Sequence, residues 1–121
     1  MSRILHIEDN EKVHSLVSRV LTDDQIEVIW ASSLEVADQL RAKESFDLII
    51  LDLGPPDGNG ADYCQKVKSE NPSQGIFILS GYINIATKVM TFVIGAEDYI
   101  TKPFDNSELK ARVVAKLKAI N

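Results

Sequence analysis

Short apolar runs alternate with stretches of helical periodicity along the whole chain, and this alternation restricts the fold more than any other feature. Ile4-Leu5-His6-Ile7 is the first run, closed by Glu8-Asp9-Asn10. Val13, Leu16, Val17, Val20 and Leu21 then follow the i, i+3, i+4, i+7, i+8 spacing of an amphipathic helix, ended by Thr22-Asp23-Asp24. Residues 27–31 read as a second strand. Ser32 or Ser33 caps a second helix with Leu34, Ala37 and Leu40 inward. Leu48-Ile49-Ile50-Leu51 is apolar without alternation, as in a strand covered on both faces. Turn residues follow from Gly54 to Gly60, then a weaker helical stripe of Ala61, Cys64 and Val67 closed by Asn71-Pro72. Ile76-Phe77-Ile78-Leu79 is a fourth strand and Tyr99-Ile100 a short fifth. Between them residues 85–94 form a β-branched, intrinsically poor helix, expected to be the least rigid, with Gly95 as its cap. A last helix starts at Asn106 or Ser107. It turns Leu109, Val113, Leu117 and Ile120 inward and Lys110, Arg112, Lys116 and Lys118 outward.

In chain order these are β1, α1, β2, α2, β3, α3, β4, α4 (residues 85–94), β5 and α5 (from 106 or 107). Such a (βα)5 order implies a parallel sheet with helices on both faces and right-handed crossovers. Five strands are too few for an eight-stranded barrel. The expected class is therefore α/β: a doubly wound, flavodoxin-like five-stranded parallel sheet of order 2-1-3-4-5. At 121 residues the chain suits one domain, taken as 1–121.

Parallel strands bring the residues just after each strand to one edge, where ligands bind. Those residues are Glu8 and Asp9 after β1, Asp52 after β3, Ser80 and Gly81 after β4, and Thr101, Lys102 and Pro103 after β5. Two carboxylates at ~4–5 Å repel by roughly 3–4 kcal/mol at an effective dielectric of 20, so three must take up protons or a cation. Oxygen donors without His or Cys favour a hard ion, best Mg²⁺, and Lys102 and Ser80 could hold phosphate oxygens. Each residue alone has an ordinary alternative: Asp9 or Asn10 as the cap of α1, Asp52 as a turn residue, Ser80 as a cap, Lys102 as a solvated lysine. Their conjunction on one edge favours the site.

Four segments at these separations resemble the receiver domain of two-component response regulators, over essentially the whole chain. They are Ile4-Leu5-His6-Ile7-Glu8-Asp9-Asn10, the stretch Asp52-Leu53-Gly54-Pro55-Pro56-Asp57-Gly58-Asn59-Gly60, Ile78-Leu79-Ser80-Gly81, and the stretch from Gly95 through Asp98-Tyr99-Ile100-Thr101-Lys102-Pro103-Phe104. The resemblance implies that Asp52 is the phospho-acceptor. It implies that Glu8, Asp9, Asp52 and the backbone carbonyl of Gly54 hold Mg²⁺, with Mn²⁺ as the alternative ion. Ser80 would be the switch hydroxyl, Tyr99 the switch aromatic, Lys102 the phosphoryl contact, and Lys102-Pro103 a cis peptide. The implied function is a phosphorylation-activated switch in the cytoplasm. It takes its phosphoryl group from a sensor histidine kinase or phosphotransfer protein and catalyses only its own phosphorylation and slow self-dephosphorylation. Its α4-β5-α5 face would be remodelled to act on an output domain or target protein, or to form a homodimer; the domain would be free-standing or the N-terminal part of a longer regulator.

Composition sets outer bounds. The formal charge of −5 disfavours direct nucleic-acid binding, and the chain has no apolar run of the ~20 residues a membrane helix needs. Met1 to Asn10 does not read as a secretory signal, and a single cysteine, Cys64, permits no internal disulfide. A phosphatase with an aspartyl-phosphate intermediate would place Asp-x-Asp after β1 and carry a cap insertion. A flavin carrier would place Ser, Thr and Gly there, where this chain has Glu8-Asp9. Glu8 stands where the family more often has Asp, Gly81 where Ala is common. In the family it resembles, the positions matching Gly54 and Tyr82 help set the lifetime of the phosphorylated state. His6 reads as a core residue, His14 as solvated and Cys64 as a small core hydrophobe; Trp30 has no evident role.

Overall fold

The computed structural model describes residues 1–53, 59–81, 89, 90 and 92–120. Its elements are β1 Ser2–Ile7, α1 Glu11–Leu21, β2 Ile26–Ala31, α2 Leu34–Lys43, β3 Leu48–Asp52, α3 Gly60–Glu70, β4 Gly75–Ser80, β5 Asp98–Thr101 and α5 Asn106–Ile120. Of the described part of the expected α4, residues 89, 90, 92 and 93 are helical and Ile94 is a turn. Residues 85–88 and 91 of that helix and Gly54 of the expected metal site lie outside the described residues.

All strand pairs are parallel and the order is β2-β1-β3-β4-β5, as the alternation predicts. Each central strand is wholly apolar at its middle because both faces are covered. On one face Val17 and Leu21 of α1 and Leu109, Val113 and Leu117 of α5 pack on Ile4, Leu48, Ile50, Phe77, Leu79 and Ile100. On the other, Ala37 of α2 and Tyr63, Cys64 and Val67 of α3 pack on Leu5, Ile7, Ile49, Leu51, Ile76, Ile78 and Tyr99.

Helix starts follow local chemistry. The Asn10 side chain accepts from the Lys12 and Val13 amides, Ser33 from Val36, and Asn59 from Ala61 and Asp62. Gly95 has φ of +109°, the left-handed geometry that ends a helix and that side chains avoid. Two expected inward residues are not inward: Leu16 is 40% and Ile120 43% exposed. Leu16 sits at the margin of the stripe, and Ile120 is the last residue of α5, beyond the sheet it would cover.

His14 is the clearest departure. It is half-buried rather than solvated, because Trp30 of the neighbouring β2 lies flat against its imidazole, with ring centroids 5.0 Å apart and planes 9° apart. His6 is fully buried in β1, as expected. Burial, with help from His14 and Lys102, pushes its pKa down to about 3, so it is neutral at pH 7.

Candidate functional site

The carboxyl ends of β1 and β3 are adjacent because β1 pairs with β3. Glu8 follows the last residue of β1 and Asp52 is the last residue of β3. Asn10 is the cap of α1, which leaves Asp9 without capping duty. Glu8, Asp9 and Asp52 each turn one carboxylate oxygen into a common pocket, and these three atoms all lie within 4.8 Å of one another. Glu8 is buried, Asp52 half-buried and Asp9 exposed, so the pocket opens to solvent on the Asp9 side.

Lys102 enters from the turn after β5. Its Nζ donates to Glu8 Oε1 at 2.7 Å and lies 3.7 Å from Asp52 Oδ1. The Lys102 amide donates to the Ser80 carbonyl at 2.8 Å, tying this turn to the end of β4, and the Lys102-Pro103 peptide is cis. Ser80 is fully buried at the end of β4, one residue beyond the Leu79 that pairs with Asp52. Tyr99 is 5% exposed and packs in the core with Ile78 and Ala96. Five expected site side chains therefore share one edge of the sheet, and Tyr99 sits inward on the strand beside it.

The pocket is electrostatically unbalanced. Each carboxylate pair within 4.8 Å repels by about 3 kcal/mol at an effective dielectric of 20, less where Asp9 is screened by water. Burial raises the Glu8 pKa to about 7; the Asp52 charge pushes the same way and the Lys102 ammonium pushes back. Among the described residues one ammonium thus faces three carboxylates. Oxygen donors of this number and spacing, open to water on one side, suit a hydrated hard divalent ion better than a soft metal. Replacing Lys102 by Met should destabilise the protein by about 2 kcal/mol in urea titration without divalent ions. Stranding a buried carboxylate costs about 3–5 kcal/mol, and the partial exposure of Lys102 reduces that. An unchanged midpoint would mean that the ammonium contributes nothing at rest.

Sequence reasoning found the acids and the lysine because position after a strand is legible. It missed Trp30, whose indole N–H donates to the Glu8 carbonyl at 2.6 Å. The only hint was an aromatic at the end of β2, beside β1.

Fold and site together define an α/β module with an acidic pocket, of the kind a hard cation fills, at the carboxyl edge of its sheet. The response regulator receiver domain model matches residues 4–114, and the chain belongs to that family. It is 36% identical over 116 residues to the cell cycle transcriptional regulator CtrA of Caulobacter vibrioides, covering 96% of this chain and 50% of that protein. The chain spans about half the length of the curated relatives it matches. The BeF3-activated receiver domain of DrrB, an OmpR/PhoB homolog of Thermotoga maritima, superposes with a TM-score of 0.87 at 30% identity, covering 98% of both chains. The Francisella response regulator 1452 receiver domain superposes with a TM-score of 0.92 over the full length of both chains; at 24% identity it supports the fold alone. Receiver domains of this kind are signalling switches rather than metabolic enzymes. No helix among the described residues is long and apolar enough to cross a membrane.

Proposed function

We propose that this chain is a phosphorylation-dependent switch in which Asp52 accepts a phosphoryl group from a phosphohistidine on a sensor histidine kinase or phosphotransfer protein. The observation that carries this reading is the convergence of Glu8, Asp9 and Asp52 within 4.8 Å, with Lys102 alongside. Glu8, Asp9 and Asp52 would hold Mg²⁺ (or Mn²⁺), together with the Gly54 carbonyl, which lies outside the described residues. When bound, the ion supplies positive charge that offsets the carboxylates and the phosphoryl oxygens.

The chain's own residues do the rest. An Asp52 carboxylate oxygen attacks phosphorus in line. The O–P bond forms as the P–N bond of the phosphohistidine breaks, and its electron pair stays on the departing imidazole. Lys102, 2.7 Å from Glu8 and 3.7 Å from Asp52, needs only a short movement to exchange the Glu8 carboxylate for a phosphoryl oxygen. That preplaced cation stabilises charge as it develops. Ser80 donates its hydroxyl to another oxygen. Its carbonyl holds the Lys102 amide, so a shift at either residue reaches β5 and Tyr99.

The signal would leave through the α4-β5-α5 face. Val89, Met90, Phe92 and Val93 are 55%, 56%, 43% and 79% exposed, an apolar surface of the kind that marks a protein contact. Its occupant would be an output domain, a target protein or a second phosphorylated copy. Residues 1–121 then act as one receiver domain of the cytoplasm, with no direct nucleic-acid contact of its own.

Intact mass after incubation with acetyl phosphate and Mg²⁺ tests this reading. One phosphoryl group per chain, appearing with Mg²⁺ and then decaying slowly, is expected. Steady turnover of phosphomonoesters without accumulation of the adduct would instead indicate a phosphatase, and no adduct at all would refute the reading.

A further inference from the structure

Trp30 is the single tryptophan of the chain and the next-to-last residue of β2, paired in register with His6 of β1. Its indole reaches past the end of β1 and donates to the Glu8 carbonyl at 2.6 Å. The Glu8 amide donates to the Ala31 carbonyl at 3.0 Å. Glu8 is therefore held by the end of β2 on both sides, its N–H by Ala31 and its C=O by Trp30. That carbonyl belongs to the peptide joining Glu8 to Asp9, so one hydrogen bond fixes the plane from which both acid side chains depart. It also lies beyond the last ladder position of β1 and before the Asn10 cap of α1, where regular structure fixes neither end.

The indole itself is braced. His14 of α1 stacks on it, and His14 Nδ1 lies 3.0 Å from Nδ1 of the fully buried His6. His6 Nε2 is buried without a partner among the described residues. An unpaired lone pair is the smaller burden there than an unpaired N–H, so His6 carries its hydrogen on Nδ1 and donates to His14. Three rings from β1, α1 and β2 thus form one wall beside the acidic pocket.

We propose that Trp30 is a positioning residue for the cation site: its indole N–H sets the Glu8–Asp9 peptide so that both carboxylates meet Asp52 before an ion arrives. The inference rests on the reading of this pocket as a Mg²⁺ site. Groups that orient metal ligands from one bond away typically change metal affinity by about 10–100-fold. A single neutral donor on a backbone carbonyl belongs at the lower end, about tenfold.

Two variants separate the donor from the ring. Trp30→Phe keeps an aromatic surface for His14 and removes the N–H. Growth of a tryptophan auxotroph on β-(3-benzothienyl)alanine replaces the indole N–H by sulfur at this position alone, because the chain has no other tryptophan. Mg²⁺ affinity is read by calorimetry, and phosphorylation by intact mass at limiting and saturating Mg²⁺. Both variants should bind Mg²⁺ about tenfold more weakly, label more slowly at limiting Mg²⁺, and return to within about twofold of wild type at saturation. Affinity equal to wild type in the sulfur variant would overturn the role of Trp30 and leave the pocket intact. Weakened binding that saturating Mg²⁺ does not rescue would make Trp30 a merely structural residue. Wild-type protein that binds no Mg²⁺ would overturn the underlying reading, and this one with it.

Discussion

Asp52→Asn should reduce acetyl phosphate labelling to background while leaving the fold intact. Asn has nearly the size of Asp, and the backbone of residue 52 keeps its place opposite Leu79 in the sheet. What is lost is the proposed nucleophile: an amide oxygen carries no full negative charge and forms no stable acyl phosphate. No neighbour among the described residues replaces it well. Glu8 is buried and engaged by Lys102, and Asp9 stands at the solvent-exposed rim. The same substitution removes one of three mutually repelling carboxylates, so the metal-free variant should be more stable than wild type by about 1 kcal/mol, the solvent-screened part of a repulsion near 3. Loss of labelling with unchanged or increased stability separates a chemical role from a structural one. Full labelling of the variant would mean that another side chain accepts the phosphoryl group.

The elements and acids of this chain are legible in its sequence because both are set locally. Helix starts follow Asn10, Ser33 and Asn59, strands follow runs such as Leu48-Ile49-Ile50-Leu51, and parallel pairing gathers the residues after each strand. Long-range partnerships are not legible. Glu8 and Lys102 are 94 residues apart, and no local pattern shows that the ammonium rests on Glu8 rather than on Asp52. Periodicity puts His14 on the polar side of α1, but it cannot see that Trp30 from β2 covers that side near the sheet edge. No local pattern marks a partner for Tyr63, yet its hydroxyl donates to Asp38 at 2.7 Å, joining α3 to α2 within a cluster that includes Arg41 and Lys66. In each case a side chain is satisfied by an element that only the tertiary fold brings near.

Gly60 provides the second large effect, because two opposed principles meet there. It is the first residue of α3, and Gly→Ala in a helix ordinarily stabilises by up to about 1 kcal/mol. A Cβ at this position would lie 2.7 Å from Leu53 Cα, 2.9 Å from the Asp52 carbonyl oxygen and 2.9 Å from the Leu53 carbonyl oxygen. All three are backbone atoms at the end of β3, with no side chain to swing away. Relief requires α3 to retreat or the Asp52 peptide to shift, and overpacking of this kind costs about 1–3 kcal/mol. The steric term should win. Gly60→Ala should lower stability by about 1–2 kcal/mol, a fall in Tm of several degrees for a domain of this size, and Gly60→Val by more. The displaced atoms include the carbonyl of Asp52, the proposed acceptor, and an error of about 1 Å at a reacting group can cost about 10²-fold in rate. Labelling should therefore fall further than unfolding alone explains when measured well below the Tm. Gly81→Ala is the matched control, since a Cβ there meets nothing within 4 Å among the described residues. If Gly60→Ala were as stable as wild type and labelled at the wild-type rate, the contact between the start of α3 and the end of β3 would be slack, and the position of Asp52 would be set by the sheet alone.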